Sequence, residues 1–96
     1  MITKNNTLIF THDGVDDTAR KEVMLHNTVI VTHYTKTNKV MLNNGGWYSV
    51  TTKRRMNEVS DEWDLGFCVF QKKGVWYVVS KNKEEVEYYN YMEFDV

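Results

Sequence analysis

Residues 45–57 have the sequence GGWYSVTTKRRMN, which predicts how a loop passes into a helix. The two glycines of residues 45–46 predict a turn, and residues 47–50 predict a short aromatic strand. Thr51 or Thr52 is a suitable N-cap, because a threonine hydroxyl can accept a hydrogen bond from an early N–H group of the helix. This junction therefore separates the strands before it from a helix after it.

The helix is predicted to run from Thr52 to about Trp63. Met56, Val59 and Trp63 recur at the spacing of one helical face, so this face is expected to pack on the core. Gly66 follows that face and is suited to end the helix or the connection after it, since glycine adopts positive φ angles without strain.

Antiparallel strands are predicted before this helix. Runs rich in Val, Ile, Thr and aromatic residues, separated by turn residues, are typical of strands. They occupy residues 7–11, 22–25, 28–34 and 39–42. His26 and Asn27 fit a two-residue turn, in which Asn27 can adopt the left-handed conformation. The region is therefore expected to be an antiparallel meander.

A hairpin is predicted after the helix. Residues 67–71 and 75–80 are its strands, and residues 72–74 are expected to form a three-residue loop with a bulge, in which Gly74 supplies the positive φ angle. The segment of residues 84–96 mixes acidic and aromatic side chains and fits either an edge strand or a helical turn.

These elements predict an α+β fold: a small antiparallel sheet, made of the meander and the C-terminal hairpin, packed on one central helix. The 96 residues are expected to form a single domain, residues 1–96. Residues 84–96 are an acidic aromatic tail with a charge of −5, which leaves +4 on the basic globular body of residues 1–83. Residues 23–57 contain no acidic residue, which favours a negatively charged partner.

Cys68 is the only cysteine, so no internal disulfide can form, and its apolar surroundings predict a buried side chain. Residues 1–6 lack the apolar stretch of a signal peptide. No apolar run in the sequence is long enough to span a bilayer. We therefore expect a cytoplasmic protein that does not engage a membrane.

Catalytic and metal-binding chemistry is not indicated by the sequence. Residues 12–17 contain a histidine and three aspartates around Gly14, but their spacing does not match a calcium-binding EF-hand loop. Aspartates that stabilise a turn are the favoured interpretation. No nucleophile motif surrounds Cys68 or any serine. We expect no enzymatic activity, no cofactor and no metal.

The cationic start of the predicted helix is the main candidate site. Lys53, Arg54 and Arg55 would lie in its first turn, where the helix dipole is positive and cations are unfavourable. N–H groups, hydroxyls and cations at a helix N-terminus form an anion site, and Arg can bind a phosphate with two hydrogen bonds. Exposed aromatic rings can add base stacking. The candidate ligand-binding or nucleic-acid-binding residues are Trp47, Tyr48, Thr51, Thr52, Lys53, Arg54, Arg55, Lys72 and Lys73.

An alternative interpretation gives these cations no ligand. They could pair with the acidic tail or with Glu58, Asp61 and Asp64, and the lysines at the hairpin tip could simply keep a turn soluble. Adjacent helical residues point in different directions, so Lys53 and Arg54 need not share a role with Arg55.

Three segments form a recognisable pattern: GGW at residues 45–47, TTKRRMN at residues 51–57 and QKKGVWYV at residues 71–78. Together with the preceding strand sequences over residues 25–31, this pattern resembles a family of small uncharacterised proteins of tailed bacteriophages. The resemblance implies a virus-encoded protein that acts in the host cytoplasm. It implies no catalytic residues, and the chain from residue 81 onward lies outside it.

Three functions remain open at this point. The first is a binding protein for an anion, namely nucleic acid or a nucleotide, at the basic helix N-terminus. The second is a protein-binding inhibitor of a bacterial host or defence factor, in which the acidic tail mimics nucleic acid or shields Lys53 to Arg55. The third is a structural or assembly protein that forms a homodimer through an edge strand. The expected partner is accordingly a phosphate-bearing ligand, a host protein or a second copy of the chain.

Overall fold

The computed structural model describes residues 7–14 and 16–96. Residues 1–6, in which no signal peptide is predicted, and Val15 of the predicted loop lie outside the described residues. The elements are β1 (Thr7–His12), β2 (Arg20–Leu25), β3 (Thr28–Tyr34), β4 (Lys39–Leu42), α1 (Val50–Glu62), β5 (Cys68–Lys72), β6 (Val75–Val79), β7 (Glu85–Glu87) and β8 (Met92–Asp95).

Two antiparallel sheets and the helix share a core. The large sheet has the strand order β1-β2-β3-β4-β8, and the small sheet has the order β5-β6-β7. Helix α1 contacts β3 of the large sheet and β5 of the small sheet. Met56 and Val59 of the helix are fully buried among apolar side chains from both sheets. The predicted α+β class is confirmed, and the structure places the meander and the hairpin in separate sheets.

Two of the hairpins have two-residue turns with positive φ angles. His26 and Asn27 have φ angles of 49° and 68°, so the turn predicted there is confirmed. Lys73 and Gly74 have φ angles of 50° and 80°, and the strands pair up to the residues on either side of them. The predicted three-residue loop with a bulge is therefore wrong, because a two-residue turn of this kind matches the twist of the paired strands.

Helix α1 begins two residues earlier than predicted. Ser49 is the N-cap, and its Oγ accepts a hydrogen bond from the backbone N–H of Thr52 at 3.1 Å. The assignment of Thr51 or Thr52 as the N-cap is therefore wrong. The short strand predicted at residues 47–50 is also absent, because residues 47–49 connect the turn at residues 45–46 to the helix without regular structure and Val50 is the first residue of the helix.

The C-terminal end of the helix is covered only in part. Trp63 is the C-cap and is half-buried, so it lies at the edge of the core that the helical periodicity predicted. The Nζ atom of Lys21 lies 4.3 Å from the centroid of its ring, and His33 packs beside it. Gly66 has a φ angle of 74° in the connection to β5, as its position in the sequence predicted.

Side chains of the helix form hydrogen bonds with the backbone at the edge of the small sheet, at Phe67 and at Val69 of β5. The Ser60 hydroxyl donates to the carbonyl of Phe67 at 2.6 Å and accepts from its N–H at 2.9 Å. The Asn57 carboxamide donates to the carbonyl of Val69 at 2.8 Å and accepts from its N–H at 2.7 Å. The helix therefore takes the place that a further strand would occupy on the small sheet.

Residues 84–96 are built into both sheets. They contribute β7 to the small sheet and β8 to the large sheet, and they bury Tyr88 and Met92 in the core. Glu85 forms an ion pair with Lys72, and Asp95 forms one with Lys39. The tail thus neutralises lysines on the two sheets, and none of its described ion pairs involves the helix.

Cys68 is exposed, and the prediction that it is buried is wrong. Side chains alternate between the two faces of a strand, and its neighbours Phe67 and Val69 are the ones that face the core. Phe70 points the same way as Cys68 and stacks on Tyr77 at a centroid distance of 5.9 Å, so it is half-buried rather than central to the core.

Tyr88 is expected to make stability decrease at high pH. Burial raises the pKa of its hydroxyl well above the usual value. The neutral form is thus favoured in the folded state, and this contribution is complete below about pH 10 and is lost at higher pH. In urea titrations, the free energy of unfolding should fall above about pH 10, by at most about 1.4 kcal/mol per pH unit for this one proton.

The variant Tyr88→Phe tests the origin of this decrease. We expect it to be less stable than the wild type at neutral pH but to lose less stability above about pH 10. Tyr91→Phe is the matched control, since Tyr91 is exposed and its replacement leaves the buried hydroxyl of Tyr88 in place. If the free energy of unfolding fell equally steeply with pH in the wild type and in Tyr88→Phe, the decrease could not be assigned to Tyr88.

Candidate functional site

The first turn of α1 presents a positive helix end without a compensating acidic residue. It contains no acidic side chain, and residues 50–53 make up this turn. Ser49 satisfies the N–H of Thr52, and its carbonyl accepts from the N–H of Lys53 at 3.2 Å. The N–H groups of Val50 and Thr51 have no acceptor within the helix, as expected for the start of any helix. The N-terminal end of α1 is therefore chemically suited to bind an anion.

The loop before the helix is held in place from two sides. The Tyr88 hydroxyl accepts a hydrogen bond from the N–H of Asn44 at 2.6 Å and donates to Oδ1 of Asn90 at 2.7 Å. On the other side, Gly45 has a φ angle of 62°, and a Cβ atom there would lie 2.9 Å from Cγ2 of Thr28. Glycine is favoured at this position, because a side chain would be strained by the φ angle and would crowd Thr28.

A cavity of about 410 Å³ opens between this loop, the helix start and the β2–β3 turn. Its volume lies in the range of small-molecule sites, which are mostly apolar with a few polar groups. The lining residues are Leu25, His26, Thr28, Ile30, Asn44, Trp47, Ser49, Thr51 and Thr52. Trp47 is 65% exposed, so its side chain is accessible from the solvent beside the cavity that it lines.

The structure separates the three cations that the sequence placed together. Because α1 begins at Val50, only Lys53 lies in the first turn, and Arg54 and Arg55 lie in the second. The prediction that all three crowd the first turn is therefore wrong. Lys53 donates from Nζ to the side-chain oxygen of Gln71 at 3.2 Å.

The two arginines differ in their partners. Arg55 is half-buried and pairs with Glu58 at 2.6 Å, as the alternative interpretation predicted. Arg54 is exposed and has no ion pair or hydrogen bond with any residue among 7–14 and 16–96. It is therefore the arginine of the helix start that is available to an external anion.

Three other candidate residues lie away from the cavity lining. Lys72 is paired with Glu85 and lies over the ring of Tyr77, and Lys73 is exposed in the turn of the hairpin. Tyr48 is exposed on one side, and its ring contacts the aromatic side chains of Trp76 and Tyr88 edge-on. The structure thus brings Trp47, Thr51 and Thr52 together in one cavity, but not the hairpin lysines.

Six lining residues were not predicted from the sequence: Leu25, His26, Thr28, Ile30, Asn44 and Ser49. Ser49 and Asn44 flank the predicted site, and the preference of serine for helix N-caps was a usable signal. Leu25, Thr28 and Ile30 belong to a hairpin some distance away in sequence, and only the tertiary fold brings them to the helix.

The predicted turn at residues 12–17 is held by local hydrogen bonds in its described part. Oδ1 of Asp16 accepts from the N–H of Thr18 at 3.0 Å and from its hydroxyl at 2.6 Å, and these bonds lower the pKa of Asp16. His12 is bonded to Glu22 at 2.8 Å. In residues 7–14 and 16–96, no group of three or more His, Cys, Asp or Glu side chains is arranged to hold a metal ion.

The fold and the cavity define a small α+β protein with a candidate ligand site at a helix N-terminus. The family model described as Kyanoviridae Gp96 protein matches residues 1–95, and the chain therefore belongs to this family of cyanophage proteins. The expectation of a small phage protein is confirmed, whereas the particular three-segment pattern stays a prediction. No curated protein and no solved structure matches the chain. The helix that the structure describes is too short and too polar to cross a membrane.

Replacement of the N-cap should destabilise the helix start. We expect Ser49→Ala to lower the free energy of unfolding by about 0.5–2 kcal/mol, because the N–H of Thr52 loses its acceptor. Thr51→Ala is the matched control, since Thr51 is exposed and does not cap the helix, and its cost should be smaller. Urea denaturation followed by circular dichroism measures both. A larger cost for Thr51→Ala would show that the cap is assigned to the wrong residue.

Proposed function

We propose that this phage protein binds a phosphate-bearing ligand, namely nucleic acid or a nucleotide, at the N-terminus of α1 in the host cytoplasm. The observation that carries the proposal is the cavity of about 410 Å³ at a helix end that has no acidic residue in its first turn. Family membership supports a phage protein, and the choice of ligand rests on the chemistry of this cavity.

Neutral donors and a nearby arginine support phosphate as the anion. The N–H groups of Val50 and Thr51 lie at the positive end of the helix, and the hydroxyl-bearing residues Ser49 and Thr51 line the cavity beside them. Arg54, one turn further, is exposed and is suited to bind phosphate oxygens. Arg55 is assigned no role in the proposed site, because Glu58 already neutralises it.

Salt-dependent binding tests this proposal. We expect labelled single-stranded oligonucleotides to bind in fluorescence anisotropy at low salt, with an affinity that declines only gradually as salt is raised because few cations are free. Arg54→Ala should weaken binding and reduce the slope of log K against log salt by about 0.7, the value for one phosphate contact on a single strand.

Lys36→Ala is the matched control for Arg54→Ala. Lys36 is an exposed cation in the turn after β3, whereas the cavity lies at the start of that strand. The control should leave both the affinity and the slope unchanged. An equal loss in both variants would indicate general attraction to a cationic surface. Absence of binding to DNA, RNA and nucleotides at low salt would overturn the proposal.

The exposed edge strand β1 favours a second candidate function, a structural or assembly role through self-association. Among the described residues, β1 pairs with β2 alone, and its side chains Leu8, Ile9 and Phe10 are 57%, 38% and 38% exposed. An apolar edge with unpaired backbone groups can add a strand from another chain. A homodimer with β1 paired to β1 would cover this edge on both copies.

Light scattering over a range of concentrations tests the dimer. We expect a mass that rises above that of the monomer with concentration, and Leu8→Lys should restore the monomer because charge on an edge strand opposes pairing. Val86→Lys, on exposed β7 of the other sheet, is the matched control and should leave association unchanged. A constant monomer mass would contradict self-association through β1. The exposed edge would then favour binding of a host protein, as in the inhibitor hypothesis.

A further inference from the structure

Asn44 has a buried donor that no described residue satisfies. The residue is 0% exposed and lines the cavity at the helix start. Its Oδ1 accepts a hydrogen bond from the N–H of Gly46 at 2.8 Å. This bond fixes the orientation of the carboxamide, so that the amide nitrogen Nδ2 points away from Gly46. That Nδ2 has no hydrogen-bond partner in residues 7–14 and 16–96. A buried donor without an acceptor is costly, so the site is suited to a molecule that brings one.

The remaining walls of the cavity suit a flat ring. Leu25 and Ile30 supply aliphatic surface, and the indole of Trp47 supplies an exposed aromatic face. Aromatic side chains stack with nucleobases of every kind, because each base has a π face. A nucleobase also carries carbonyl or ring-nitrogen acceptors at its edge, which match the donor of Asn44.

We propose that the cavity binds one unpaired nucleobase, stacked on Trp47 and hydrogen-bonded by Nδ2 of Asn44, with its phosphate at the N–H groups of Val50 and Thr51. This inference rests on the proposed function and narrows its ligand to a free nucleotide or a single strand. A base within a duplex is excluded, because its faces are stacked and its pairing edge is occupied.

Calorimetric titration with matched probes tests the base pocket. The probes are the nucleoside 5′-monophosphates, ribose 5-phosphate, which lacks the base, and inorganic phosphate. The nucleotides should bind at least about tenfold more tightly than ribose 5-phosphate, because stacking on an aromatic ring contributes on that order. A single-stranded oligonucleotide should compete with the nucleotide, and the same sequence as a duplex should not.

Substitutions at Trp47 identify the stacking face. Trp47→Ala should weaken nucleotide binding by about tenfold to hundredfold and leave ribose 5-phosphate unchanged, while Trp47→Phe should restore most of the loss. Tyr89→Ala, which removes a similarly exposed aromatic ring outside the cavity lining, is the control. Asn44→Asp keeps an acceptor for Gly46 and removes the donor, so it should also weaken nucleotide binding. Circular dichroism melting confirms that each variant is folded.

The outcomes separate the base pocket from the phosphate site. Equal affinities for nucleotides and ribose 5-phosphate, with no effect of Trp47→Ala, would overturn the base pocket and leave the phosphate site in place. Binding of duplex as tight as that of single strands would also overturn it. If neither these probes nor oligonucleotides bind at low salt, the base pocket and the proposed function both fail. Because the Trp47 variants involve an exposed side chain, the result does not depend on whether Asn44→Asp folds.

Discussion

The four hydrogen bonds by which Asn57 and Ser60 close the edge of β5 determine how the rest of the molecule is arranged. They satisfy backbone groups of Phe67 and Val69 that would otherwise be partly buried and unpaired, at a cost of about 1–3 kcal/mol each. Because side chains from two successive turns of the helix are used, both the position and the rotation of α1 on the small sheet are fixed. The apolar face of the helix is thereby directed to the core, and its N-terminus lies beside β3.

The acidic tail of residues 84–96 connects the helix and the small sheet to the large sheet. Tyr88 lies between β7 and β8, and its hydroxyl bonds to the backbone of Asn44 in the loop before the helix. One side chain near the C-terminus therefore positions the loop that forms a wall of the cavity. The same segment places Glu85 and Asp95 on lysines of the two sheets, so the positive charge predicted for residues 1–83 is neutralised in part where the sheets meet the tail.

Local sequence was sufficient to predict the α+β class, the meander and the turn at His26 and Asn27, since each depends on neighbours in sequence. Local sequence was insufficient where neighbouring residues were equally suited to the same structural role. Serine and threonine are both good N-caps, and choosing Thr51 or Thr52 instead of Ser49 displaced the predicted helix by two residues. The cavity was predicted only on its helix side, because Leu25, Thr28 and Ile30 reach it through tertiary packing that no local pattern records.

The displacement of the helix start changes the chemistry of the proposed site. With α1 starting at Val50, the donors at its positive end are neutral N–H groups and hydroxyls, and the arginines lie one turn away. One of these arginines is already paired with Glu58. A site with so few free cations gains little from counterion release, which is the main source of affinity for proteins that track a nucleic-acid backbone. Affinity at such a site has to come from the apolar walls and from directed hydrogen bonds, which act on a single base and its phosphate. The geometry therefore favours recognition of one nucleotide unit over attraction to a long polyanion.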